Sequence, residues 1–157
     1  MPVKLTLTVK LVALTILFFS LATPLYSQLT GATMSDPFDK GVFQTGSGQY
    51  FGEAYSNSIG YGDDYGGINE DVFYKFTVNG DTEIYMQLNA ATMPGTIWLL
   101  NENGEYIDYR EGNLNSSDLT TVLSASVPAG TYYIVVECAY WYSWNLYYSL
   151  DVWLDVS

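Results

Sequence analysis

From about residue 70 onward, apolar and polar positions alternate. In Asp71 to Asn79 (DVFYKFTVN), Val72, Tyr74, Phe76 and Val78 share one face, and Phe73, Lys75 and Thr77 share the other. A period of two sends successive side chains to opposite sides of a strand, so the run predicts a strand with one buried face. The same pattern recurs. Thr82 to Asn89 puts Ile84, Met86 and Leu88 together. Thr131 to Cys138 groups Tyr132, Ile134, Val136 and Cys138. Leu146 to Leu154 sets Leu146, Tyr148, Leu150, Val152 and Leu154 against Tyr147, Ser149, Asp151 and Trp153. Shorter runs lie at Thr96 to Leu100, Glu105 to Tyr109 and Leu119 to Ala125. β-branched and aromatic residues fill them, as strands prefer.

Turn signals punctuate the runs. Asn79-Gly80 and Asn103-Gly104 are strong two-residue hairpin signals, and Pro128-Ala129-Gly130 breaks the chain before the Thr131 run. Short runs at Gly41 to Thr45 and Gln49 to Phe51 would add an edge. Gly46 to Gly67, rich in Gly, Tyr and Asn, shows no period and reads as a long loop. The expected fold class is all-β: an antiparallel β-sandwich of jelly-roll type with about seven to nine strands.

The N-terminus follows a different rule. Lys4 and Lys10 precede the apolar run Leu11 to Phe19, and Ser27 offers a small residue for cleavage, so residues 1–27 read as a signal peptide. Residues 28–35 then form a linker and 36–157 the sandwich domain. The expected location is secreted or at the cell surface, with no membrane insertion once the signal is removed.

Charge narrows the partners. The full chain has 5 basic and 17 acidic residues. Without the signal only Lys40, Lys75 and Arg110 oppose those 17 acids, a net charge of −14. Such a surface repels nucleic acid and anionic lipid. No histidine is present, which excludes Ser-His-Asp and Cys-His catalysis and His-ligated zinc. Cys138 is the single cysteine, so no disulfide forms within the chain, and its apolar strand makes it a candidate buried thiol.

Several segments together resemble the bacterial pre-peptidase C-terminal domain. They are Asp71 to Val78, Ile97 to Gly104, Pro128 to Val136 (PAGTYYIVV) and Tyr148 to Val152. The resemblance spans roughly Asp36 to Leu154. The segment Tyr61 to Gly66 also resembles domains near the N-terminus of secreted RHS-repeat proteins. Relatives of this family include collagenase collagen-binding domains. The resemblance implies a jelly-roll sandwich without catalytic function that binds matrix protein or polysaccharide or assists secretion, sometimes with calcium.

Two clusters carry candidate chemistry. Asp63, Asp64, Glu70 and Asp71 lie among glycines that let a chain fold around an ion, and calcium takes six to eight oxygen ligands. Asp36 and Asp39 would add ligands if the N-terminal segment packs nearby, as the calcium-binding relatives imply. The second cluster is Tyr140, Trp141, Tyr142 and Trp144, between the last two strand runs; aromatics on a loop give rigid contact area and stack on sugars or peptides. Tyr61 and Tyr65, with Tyr50 and Tyr55, would form the opposite wall of a groove, and Tyr147 and Trp153 would extend the patch along the sheet.

The expected function is a secreted, non-catalytic module that recognises an extracellular polysaccharide or matrix protein through aromatic loops, with Ca²⁺ as candidate cofactor. The alternative is an export or assembly domain that binds a larger secreted protein. A small glycosidase using two carboxylates is a third reading, though no spacing marks a pair among the acids.

Overall fold

The alternating runs become strands with one dry face. In the computed structural model, residues 29–59, 61, 70–113, 115–139 and 146–157 are described. The expected signal peptide lies outside them. The strands are β1 (Phe38–Phe43), β2 (Gly46–Asn57), β3 (Val72–Val78), β4 (Thr82–Ala90), β5 (Gly95–Asn101), β6 (Tyr106–Glu111), β7 (Thr120–Val127), β8 (Gly130–Cys138) and β9 (Tyr147–Val156). They form two sheets, in the orders β1-β3-β8-β5-β6 and β2-β9-β4-β7, packed as a jelly-roll-type sandwich. All pairings are antiparallel except β1 with β3, which is parallel.

The core lies between the sheets and uses the faces the alternation marked. Val72, Tyr74, Phe76 and Val78 of β3 face Ile84, Met86 and Leu88 of β4 and Leu150, Val152 and Leu154 of β9, all at most 2% exposed. Each fully buried side chain of this kind contributes about 1.5–3 kcal/mol. Cys138 is buried in the same core.

Three expectations need correction. The first half of the long loop is β2, the longest strand, antiparallel to β9 from Gly46↔Val156 to Asn57↔Tyr147. Two register shifts and the positive φ of Gly48 (67°) break its alternation, so periodicity passes over it. Next, Asn79-Gly80 makes no hairpin. β3 belongs to the five-stranded sheet and β4 to the other, so the turn carries the chain across the sandwich. Asn103-Gly104 does close a hairpin, between β5 and β6. There Gly104 has φ 79°, and Asn101 Oδ1 accepts the N–H groups of Asn103 and Glu105 at 2.9 and 3.0 Å. Finally, the stretch expected as a linker packs down. Ala32 is buried, Phe73 N–H donates to Gly31 O at 2.7 Å, and Met34 covers Phe73, Leu100 and Val135 on the outer face of the five-stranded sheet.

Candidate functional site

The outer face of the four-stranded sheet carries a line of aromatic rings built by strand register. Tyr50 of β2 pairs with Trp153 of β9, and Trp153 pairs with Tyr85 of β4. All three belong to the non-core parity of their strands, so they stand side by side across three strands. The ring centroids are 5.7 Å apart for Tyr50–Trp153 and 5.4 Å for Trp153–Tyr85, with planes tilted by 48° and 53°. Sheet twist turns neighbouring strands by about 20–25°, which accounts for part of that tilt. The rings remain 52%, 38% and 40% exposed in that order.

A polar row runs beside the ladder. One step along the strands, Gly52 pairs with Asp151 and Asp151 with Gln87. One step further, Ser149 pairs with Asn89. Tyr50 Oη donates to Asp151 Oδ1 at 2.6 Å, so the phenol lies over Gly52. A Cβ at Gly52 would collide with that phenol oxygen, so the Tyr50–Asp151 bond in this position requires glycine there. The hydrogen bond to Asp151, desolvation and the carboxylate's charge hold the Tyr50 phenol above its ordinary value. Gln87 Nε2 donates to Asn89 Oδ1 at 2.9 Å, and Asn89 Nδ2 donates to Ser149 Oγ at 3.4 Å. A shallow cavity of about 390 Å³ lies against Tyr50, Gly52, Glu53, Ala54, Ser149 and Asp151. The arrangement offers apolar ring faces on one side and mixed donors and acceptors on the other.

The described roots of the two candidate loops meet at one end of the sandwich. Ser58 N–H donates to Leu146 O, and Leu146 N–H donates to Ser58 Oγ, both at 3.0 Å, and both residues are fully buried. Beneath them Tyr74 Oη and Tyr148 Oη are 2.5 Å apart in the core. Desolvation pushes both phenols well above their ordinary values, so they stay protonated and act as a fixed structural pair. Lys40 Nζ bonds Glu53 at 2.7 Å and lies 5.1 Å from the centre of the Tyr74 ring.

The expected site residues divide as follows. Tyr140, Trp141, Tyr142, Trp144, Tyr65, Asp63 and Asp64 lie outside the described residues. Tyr61 is half-buried and packs against the main core. Burial and the charge of Glu53 raise its phenol. Asp71 is buried and Glu70 half-buried. Asp36 joins Thr33 in a tight bridge. Asp39 is occupied: Oδ2 accepts Lys75 Nζ at 2.9 Å and Oδ1 accepts Gly41 N–H at 2.8 Å. Among the described residues no group of three or more Cys, Asp or Glu side chains comes together.

The ladder itself was only half visible in the sequence. Alternation puts Trp153 and Asp151 on the outward face of their run, and Tyr50 lies in the short run Gln49 to Phe51, while nothing local singles out Tyr85, Gln87 or Asn89. Parity marks Tyr85, Gln87 and Asn89 as outward, but which strands lie side by side is a tertiary fact.

No family model matches the chain, and no curated protein sequence matches it. Among solved structures the chain is similar to the pre-peptidase C-terminal domain of collagenase from Bacillus anthracis. The identity is 18% and the TM-score 0.47, over 71% of this chain and 93% of that one. That is the domain type the sequence resembles. It is also similar to PliG of Aeromonas hydrophila, a periplasmic inhibitor of g-type lysozyme, at 12% identity and TM-score 0.44 over 74% and 98% of the two chains. A family 35 carbohydrate-binding module from Cellvibrio japonicus Abf62 gives 13% and 0.39 over 69% and 86%. At these values none of the likenesses bears on what this chain binds.

Proposed function

We propose that the chain is an exported, non-catalytic module that binds an extracellular polymer, either a polysaccharide or a matrix protein. The exposed Tyr50–Trp153–Tyr85 ladder carries this reading. The same fold buries its core aromatics almost completely, yet leaves three in-register rings in water on one face. Contiguous exposed apolar surface of this kind marks interaction sites. Trp141 and Trp144, which lie outside the described residues, are the further aromatics this reading would recruit.

Co-sedimentation of the chain lacking residues 1–27 tests the reading against collagen, cellulose, chitin, xylan and peptidoglycan, each in calcium and in EDTA. Retention by one polymer, reduced in Trp153→Ala or Trp141→Ala, is the expected result. A difference between calcium and EDTA would bring Asp63, Asp64, Glu70 and Asp71 back as ligands.

One observation favours the second reading, a larger protein partner. β6 is an edge strand with Tyr106, Ile107 and Tyr109 exposed, and an edge strand can pair with another chain. Asp108, Arg110 and Glu111 on the same strand blunt that edge, which is how proteins discourage such pairing.

A further inference from the structure

We infer that the ladder takes a single neutral polysaccharide chain, lying across the strands from Tyr50 over Trp153 to Tyr85, with its hydroxyls read by Asp151, Gln87 and Ser149. This rests on the polymer-binding reading above and narrows it to one ligand class.

Four observations point there. The first is direction. Each of three adjacent strands supplies one ring, and adjacent strands lie about 4.8 Å apart. The ladder therefore runs perpendicular to the strands with rings every 5.4–5.7 Å. That is a spacing at which successive sugars of an extended chain can each meet a ring.

The second is planarity. The flat face of a crystalline polymer needs coplanar rings. Here each ring is tilted by about half a right angle to the next, at 48° and 53°. Such a strip fits a free chain that turns from one sugar to the next.

The third is the kind of recognition left open. β9 and β4 are paired on both sides, so their backbone groups are used up by the sheet. Only side chains can read the ligand there. Carboxylate, carboxamide and hydroxyl groups beside aromatic faces suit sugar hydroxyls, which both donate and accept. Tyr50 is already held by Asp151, so ordering it on binding costs little.

The fourth is charge. β2, β4, β7 and β9 contain no Lys or Arg, while Glu83, Asp151 and Asp155 point out from the ladder face. Anionic polymers are repelled, and attraction to a neutral chain needs no counter-charge.

The test is affinity electrophoresis and calorimetry with soluble neutral xylan, galactomannan and mixed-linkage β-glucan. Polygalacturonate and heparin serve as anionic probes, and crystalline cellulose, chitin and fibrillar collagen as solid ones. The expected result is binding to at least one soluble neutral chain and to neither anionic polymer. The dissociation constant should be unchanged between low and high salt. Trp153→Ala and Tyr85→Ala should each weaken binding about tenfold or more, as truncating an aromatic anchor does. Gly52→Ala should weaken it by displacing the Tyr50 phenol. Tyr106→Ala on the other sheet should leave it unchanged, and circular dichroism should show all four variants folded. Retention on collagen or on crystalline polymer alone overturns the inference while the polymer-binding reading stands. Tight binding that is indifferent to Trp153→Ala and Tyr85→Ala also overturns it. No retention on any probe removes both.

Discussion

The two outer faces of the sandwich carry similar residues and treat them in opposite ways. On the five-stranded sheet, Phe73, Leu100 and Val135 are buried under Met34 and the segment that precedes β1. Trp98 stacks on Tyr109 with centroids 4.6 Å apart, and its Nε1–H donates to Glu137 Oε1 at 2.7 Å. On the four-stranded sheet, Tyr50, Trp153 and Tyr85 touch one another, but no segment of the described chain lies over them. The segment before β1 covers the Phe73 part of one face and leaves Tyr109 at its β6 edge exposed, whereas among the described residues nothing covers the three rings of the other. An outward aromatic is therefore not a binding residue by virtue of parity alone. What decides is whether the rest of the chain covers it.

Substitutions can break that contrast. The largest expected effect is on the covered face. Phe73→Ala should lower the unfolding free energy by about 3–5 kcal/mol, the usual cost of emptying a buried phenyl site. Trp153→Ala on the open face should cost less, about 1–3 kcal/mol, the worth of its two ring contacts. Urea denaturation of the two variants measures both, and equal losses would dissolve the distinction between the faces.

Trp98→Phe comes next. It keeps most of the ring stack with Tyr109 but removes the donor to Glu137, a buried carboxylate. A hydrogen bond to a charged group is worth about 1.5–3 kcal/mol, and the same denaturation experiment should show a loss of that order.

Gly52→Ala should cost about 1 kcal/mol, because the new Cβ displaces the far end of Tyr50 and comes within 3.2 Å of the Leu150 carbonyl oxygen. Its signature is spectroscopic. With the phenol pushed away from Asp151, Tyr50 should titrate closer to its ordinary value of 10.0, and ultraviolet titration would follow the shift. In the native protein the raised phenol contributes stability that is complete below pH 10.0 and is lost as pH rises through the raised value.

The smallest effect has the opposite sign in pH. On the five-stranded sheet the Lys75 hydrogen bond, followed by the Gly41 N–H, holds the Asp39 carboxyl below its ordinary 3.8. Its contribution is present above pH 3.8 and is lost as pH falls through the lowered value. The pair is exposed, so the loss should stay under about 1 kcal/mol. An NMR titration should show the Asp39 carboxyl moving upward in Lys75→Met.

Much of the fold was legible because burial imposes a period of two. β3, β4, β8 and β9 could be traced residue by residue, with their core faces named, since one dry face forces alternation. Of β2 only Gln49 to Phe51 stands out as a strand, because two register shifts break the period, and its pairing with β9 is what extends it from Gly46 to Asn57. The two Asn-Gly pairs show the same limit from the other side. Asn103-Gly104 closes a hairpin, whereas Asn79-Gly80 crosses between sheets. The dipeptide permits a tight turn, but β3 takes β1 and β8 as neighbours and β4 takes β7 and β9, so these two strands never pair.

The candidate site divides along the same line. An all-β chain, its core faces, its acidity, the lack of histidine chemistry and an abundance of aromatics are all readable along the chain. Those follow from local periodicity and from counting. Sheet order and packing make Tyr50, Trp153 and Tyr85 one ladder beside Asp151, lay Met34 over Phe73 and tie Lys75 to Asp39. Each joins residues at least 36 positions apart, and contacts over such distances follow from how the sheets are ordered and packed, which no local pattern records.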